Sequence, residues 1–288
     1  MNSRTRASVP HAEYFPPRTS DGDSTGWLDV IAEDARQLAL FAPVLRNMVV
    51  QELRVRYQRS ILGFLWTLLN PILMLATMAV VLAQVMGVNA EGFAVYLFAG
   101  MLPWNFFAAS VIDSSASIIA NEGLIRKIYL PKLIFPLARV LINLTTFLLT
   151  MGALFFLLKP LGAKVTPSLL MLPVVVALFA AFTLGLGLIV ATLNTFFRDA
   201  GHLIAVILQA WYFATPIIYE TSRFRPEVMW RFWLNPVYPF IRMFHGILRD
   251  GLWPDRVTFM VAAGVATVSL GIGYAAFKSN EDTLVFRL

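Results

Sequence analysis

Apolar runs separated by short polar breaks recur along this chain, at about 61–86, 93–120, 133–158, 169–193, 202–219 and 257–277. At roughly 1.5 Å of rise per helical residue each can cross a hydrocarbon core of about 30 Å, although 202–219 only just reaches. The pattern predicts an all-α polytopic membrane protein with six transmembrane helices. Pro71, after Asn70, and Pro103, beside Trp104, fall inside the first two runs, where a missing N–H donor predicts kinks. Upstream, over 27–48, Leu28, Ile31, Ala35, Leu38, Phe41 and Ala42 recur at helical spacing among Asp29, Glu33, Asp34 and Arg36. That stretch is too polar to span and reads as an amphipathic helix in the membrane interface. Residues 1–26, rich in Ser, Pro, Arg and Asp, read as a mobile tail.

The connection 121–136 differs from an ordinary loop. Leu124, Ile125, Ile128 and Tyr129 fall on one face of a short helix, with Glu122, Arg126 and Lys127 turned elsewhere, and Pro131 stops it. Two readings stay open: a basic loop that sets topology, or a docking helix for a soluble partner. The stretch 220–249 mixes Trp230, Phe232 and Trp233 with Arg225, Arg231 and Arg242 and is broken by Pro226, Pro236 and Pro239. Such a mixture suits short helices dipping into the headgroup layer. In the last run, Ser269 and Gly273 have the spacing of a close helix contact.

Composition confirms the class, because 58% hydrophobic and 14% charged residues over 288 positions, with mean hydropathy +0.69, exceed what one soluble core can bury. The net charge of +6 is spread along a membrane-embedded chain, so lipid headgroups rather than nucleic acid are its counterparts. With both termini inside, fifteen of the 23 Lys and Arg fall on the inner side, which places both ends in the cytoplasm. The absence of cysteine excludes disulfides, thiol catalysis and Cys-ligated metal. An isolated early apolar run is also lacking, so no cleavable signal is expected.

No phosphate-binding G-x-x-x-x-G-K-[ST] loop, G-x-S-x-G elbow or H-E-x-x-H occurs in the sequence. His11, His202 and His245 are too scattered for a metal triad, so no metal and no cofactor is expected on this chain. Asp113 and Arg139 are isolated intramembrane charges and make no proton relay.

The runs QELRVRYQRSILGFLWTLLNPILM, NEGLIRKIYLPKLIFP, NTFFRDAGHL and ATPIIYE followed by LNPVYPFI, in that order, resemble permease subunits of type-2 ABC exporters. They are most similar to the branch exporting lipid-linked polysaccharides such as O-antigen, capsule and teichoic acid, and only residues 1–26 lie outside the likeness. The resemblance implies a homodimeric six-span channel in the bacterial cytoplasmic membrane, bound by two separate ATPase subunits that hold ATP and Mg. It further implies that 27–48 is the interface helix, 121–131 the coupling helix seated in the ATPase, and 220–249 re-entrant gate helices. Its coupling residues are then Glu122, Leu124, Ile125, Arg126, Lys127, Ile128 and Tyr129.

A channel for a sliding sugar chain favours flat aromatic faces, which nominates Trp66, Trp104, Phe106, Phe107, Trp211, Tyr212 and Phe213 as lining; membrane-facing aromatic belts are the competing reading. A carrier-lipid pyrophosphate asks for guanidinium forks at the inner leaflet, where Arg54, Arg56 and Arg59 stand; they also suit plain topology anchors. Two rival functions share part of this pattern. One is a type-2 permease for a drug or simple lipid, and the other a membrane enzyme acting on polyprenyl phosphates.

Overall fold

The structure, a computed structural model, describes residues 26–58, 65–87, 89–159 and 163–287. Residues 1–25 of the tail expected over 1–26, Arg59, the start of the first span at 61–64 and Pro160 therefore lie outside the described residues. No strand occurs among the described residues.

Ten α-helices follow in order among the described residues: α1 (Trp27–Leu40), α2 (Ala42–Gln58), α3 (Leu65–Met86), α4 (Ala90–Ala120), α5 (Glu122–Ile125), α6 (Ile134–Leu158), α7 (Leu172–Phe196), α8 (Ala200–Ala214), α9 (Tyr238–His245) and α10 (Arg256–Phe286). Short 3-10 stretches at Pro167–Met171, Thr221–Arg223 and Pro226–Leu234, and a π turn at Gly246–Asp250, lie between them.

Helix α4 is the centre, packed against α3, α6, α7, α8 and α9. Its core is aromatic: Phe107 stacks on Phe182 with centroids 5.6 Å apart, and Phe179 meets Phe240 at 5.0 Å. A second apolar cluster forms at the other end of the bundle, where Ile118, Leu130, Ile134 and Phe277 bury against Leu38, Phe41 and Val44 of the first two helices. Helices α7 and α10 approach backbone to backbone. A Cβ placed on Gly185 would collide with the main chain of Ser269, and one on Gly273 with that of Gly185. Ser269 Oγ also donates to the Phe182 carbonyl at 3.0 Å, so the small residues at 269 and 273 do mark a close helix crossing.

Among the described residues four helices are long and apolar enough to cross a membrane: Gly92–Ala120, Ile134–Phe156, Pro167–Phe196 and Arg256–Leu284. The other two expected spans contribute shorter apolar stretches, Leu68–Met78 in α3 and Ala200–Ala214 in α8. The run 202–219 is thus helical only to Ala214, giving roughly 22 Å of rise. Pro216 and the extended Thr215 before it end the helix. The segment nevertheless runs the length of α4. Asn194, just before α8, donates to the Ser115 carbonyl at 2.9 Å, while Pro216 and Tyr219, just after it, receive the Tyr96 hydroxyl. Ser115 and Tyr96 lie about 28 Å apart along α4.

Two further expectations need correction. The single interface helix over 27–48 is two helices, broken at Phe41, because Pro43 lacks an N–H and its ring excludes the carbonyl four residues back. The second of them continues to Gln58. The docking helix expected over 121–131 is a single turn, α5, followed by turns at Arg126 and Lys127. Pro71 and Pro103 lie inside α3 and α4, each of which runs on past its proline.

Candidate functional site

The end of the bundle that holds α5 is stitched to both ends of the described chain. Asp34 of α1 is 7% exposed and accepts from the Tyr274 hydroxyl at 2.6 Å and from Lys278 Nζ at 2.7 Å. Lys278 also pairs with Glu281 at 2.8 Å, and Lys132 Nζ, just past the α5 segment, donates to the Glu281 carbonyl at 2.8 Å. A carboxylate this shielded needs such partners, since an isolated buried charge is costly. The network therefore fastens the 122–132 segment to α10 and to α1. Sequence periodicity did not single out Asp34, because its partners are about 240 residues away; its place on an otherwise apolar stripe was the only signal.

The expected coupling residues divide into an anchor and a tip. Ile125 packs into the second apolar cluster beside Leu130, whereas Leu124, Ile128 and Tyr129 are exposed, Tyr129 by 60%. The face predicted to be continuous is split because the helix ends after one turn. Glu122 and Arg126 form an ion pair at 2.7 Å across that turn, and Lys127 is exposed.

A second feature opens beside α2. A cavity of about 360 Å³ between α3, α4 and α6 has Arg56 at its edge. Its walls alternate amides and hydroxyls, Asn70, Asn105, Asn143 and Thr146, with the rings of Trp66, Phe106 and Phe147. Asn143 also donates to Asp113 at 2.8 Å, and Arg139 pairs with Glu52 of α2 at 3.5 Å. Both isolated intramembrane charges thus have partners, Asp113 through a residue of the cavity wall. Arg54 is exposed on the same helix as Arg56, and Arg59 lies outside the described residues.

The aromatic residues expected to line a passage fall into three groups. Trp104 and Phe107 are buried, Trp104 being edge-on to Phe107, Trp211 and Tyr212 at 5.3–6.3 Å. Within the single chain they are core. Their spans are apolar on every side, and only the neighbours decide which face is covered. Phe106 is likewise buried but edges the α3/α4/α6 cavity together with the exposed Trp66. Trp211 and Tyr212 are half-buried and Phe213 is exposed, all near the end of α8.

Asn235 is the residue that fixes this last group, and sequence reasoning missed it. Its carbonyl oxygen accepts from Trp211 Nε1 at 2.9 Å and from the Val237 N–H at 3.0 Å, while its amide donates to Thr215 Oγ1 at 2.8 Å. One amide thus ties the end of α8 to the 220–249 segment. The Asn-Pro pair inside an aromatic, Arg-rich stretch was the available signal.

At the same end, His245 stacks on Tyr96 with centroids 4.0 Å apart, and its Nε2 lies 3.1 Å from the Tyr96 carbonyl. Burial, with the Arg249 guanidinium nearby, holds the imidazole neutral, well below the ordinary histidine range. The Tyr96 hydroxyl lies 3.1 Å from the Pro216 carbonyl and 2.5 Å from that of Tyr219, sharing its proton between them. The segment expected to form gate helices consists of 3-10 stretches, the eight-residue α9 and a π turn.

Such an arrangement defines a multi-pass helical membrane protein with chemically distinct ends and no catalytic constellation among the described residues. The chain belongs to the ABC-2 type transporter family, which it matches over residues 44–248. It is 32% identical over 249 residues to the O-antigen export system permease protein RfbA of Myxococcus xanthus, covering 86% of this chain and 96% of that protein. A protein of the same description from Klebsiella pneumoniae is 30% identical over 226 residues, covering 77% of this chain and 86% of the relative. The polysialic acid transport protein KpsM of Escherichia coli is 24% identical over 243 residues, covering 83% and 93% respectively.

Proposed function

We propose that this chain is the channel-forming permease subunit of an ATP-driven exporter that moves undecaprenyl-pyrophosphate-linked polysaccharide, of O-antigen, capsule or teichoic-acid type, across the bacterial cytoplasmic membrane. It works as a homodimer, and two separate ATPase subunits supply ATP and Mg. In this reading α3 and α8 complete six membrane passes, and both termini are cytoplasmic.

The observation that carries the reading is the α3/α4/α6 cavity. A guanidinium at its edge suits a pyrophosphate, which Arg binds through paired N–H donors. Amides, hydroxyls and ring faces along its walls suit the first sugars, which present both hydroxyls and apolar faces. Names borne by relatives that are up to 32% identical point the same way. The coupling step follows from the other feature: the exposed Leu124, Ile128 and Tyr129 tip meets the ATPase, and the Lys132–Glu281–Lys278–Asp34 network carries its displacement to α10 and α1.

The test is complementation of a strain lacking this chain. Loss of the chain should remove polymer from the cell surface and accumulate lipid-linked polymer inside, and the wild type should restore export. The variant carrying Arg54→Gln and Arg56→Gln should insert normally and lower export by roughly tenfold or more, the equivalent of one charge-assisted contact. Unchanged surface polymer in the deletion strain would replace this reading with export of a drug or simple lipid.

A further inference from the structure

The end of the bundle opposite α5 holds a cavity that the transport reading leaves without a task. It has about 560 Å³, within the roughly 300–1,000 Å³ of small-molecule sites, and lies between the start of α4, α9, the π turn and the start of α10. Rings face it from three sides: Tyr96, Tyr238 and Trp253. The first two are buried and fixed, Tyr96 by its stacked His245 and Tyr238 edge-on to Trp233 at 5.3 Å. Trp253 differs. It is 57% exposed at the rim and stacks on no ring among the described residues.

The polar groups are placed in pairs. Arg249 meets Glu220 at 2.6 Å and Arg242 meets Asp255 at 3.4 Å, with Asp250 a third carboxylate on the wall. Thr258 donates to Asp255 through its hydroxyl at 2.7 Å and its N–H at 2.8 Å. Three carboxylates thus stand against two guanidiniums that are already engaged, so the cavity offers an anion no net attraction. What remains is a set of carboxylate acceptors and guanidinium donors beside exposed ring surface. That combination fits an uncharged molecule with hydroxyls around its edge and apolar C–H faces.

We propose that this cavity is a binding subsite for a neutral pyranose, with Trp253 as its stacking platform and the Glu220–Arg249 and Asp255–Arg242 pairs as hydroxyl partners. It rests on the export reading, since about 36 Å of α4 separates it from the α5 end, which places it where a sugar leaves the protein. There it holds emerging sugar weakly and biases the chain against sliding back.

The experiment uses the full-length chain with its ATPase partner in nanodiscs free of sugar detergent. Saturation-transfer NMR is recorded with the methyl α-pyranosides of glucose, mannose and galactose, and with glucuronic acid, each at a few times about 1 mM. Saturation should reach at least one neutral glycoside and be several-fold weaker for glucuronic acid. Trp253→Ala should reduce the transfer about tenfold while melting and ATPase activity stay at the wild-type level, and Trp253→Phe should retain most of it. If no neutral glycoside receives saturation, if glucuronic acid binds equally well, or if Trp253→Ala binds like the wild type, the subsite is overturned. The export reading is judged separately: a wild type that restores surface polymer yet binds no glycoside loses only the subsite, and one that fails to restore polymer loses the function beneath it.

Discussion

At the residue scale, the end of the bundle near Tyr96 depends on polar side chains that each bridge two segments, and His245 is the most exacting of them. Its Nε2 sits where a Cβ on Gly100 would come within 2.9 Å, so the ring leaves room for glycine alone at that point of α4. The groups around it are Arg249, the Glu220 carboxylate paired with Arg249, and the Tyr96 ring. Among these, burial and the Arg249 guanidinium both disfavour the charged imidazole. An imidazole whose folded-state pKa is depressed below the usual 6.5 binds fewer protons folded than unfolded, so stability is complete above that value and falls as pH drops below it. The melting midpoint of the purified protein should therefore decline between about pH 7 and pH 5. Replacing His245→Gln keeps an amide N–H for the Tyr96 carbonyl and removes the proton site, so the decline should flatten. A Gln variant that loses stability on acidification as steeply as the wild type would show that other groups titrate.

At the element scale, the α7/α10 crossing decides how tightly the bundle closes, and two glycines give it a controlled test. Gly185→Leu drives a side chain into the main chain of Ser269, which cannot rotate away as a flexible side chain would; Gly264→Leu, on the same α10, meets nothing within 4 Å of the added Cβ. Overpacking costs typically about 1–3 kcal/mol, and more where backbone must move. The Gly185 variant should lose most of its monodisperse fraction in size-exclusion chromatography, whereas the Gly264 variant should elute as wild type does. Of these elements, the helices and the small-residue spacing at Ser269 and Gly273 were legible in the sequence, because apolar length and period report directly on them. The break at Phe41 was legible too, through Pro43, but a long amphipathic stripe masked it. The one-turn length of α5 was not, since apolar spacing fits one turn or two equally and the tertiary anchor at Leu130 decides. Nor was the burial of Trp104 and Phe107, because in a helix apolar all round no moment marks the covered face. The partners of Asp34 and Asn235 depend on contacts between distant parts of the chain, which no local pattern encodes.

At the scale of the whole molecule, the ion pairs between distant segments sort, among the described residues, to one of two ends. Asp34, Lys132, Lys278 and Glu281 meet at the α5 end. At the opposite end Lys164 Nζ lies 3.3 Å from the Asp250 carbonyl and Thr166 donates to that of Gly251, beside Tyr96, Glu220 and Arg249. Helices α4, α6, α7 and α10 join the ends directly, and the α8 segment joins them through its extended tail. The bundle thus has a polarity that a membrane must respect, and in the proposed topology, with both termini inside, the excess of Lys and Arg falls in segments belonging to the α5 end. The complete absence of cysteine makes this directly measurable, since a single introduced thiol is the chain's only target. Tyr129→Cys, on the exposed tip, should react with a membrane-impermeant maleimide only in inside-out vesicles, and Leu252→Cys, exposed at the opposite end, only in intact spheroplasts. The reverse pattern would invert the protein in the membrane and remove the ATPase from the tip. Labelling of both residues from one side would break the proposed six-pass path instead, most directly at α8, whose 15 helical residues leave the rest of the proposed crossing to residues 215–219.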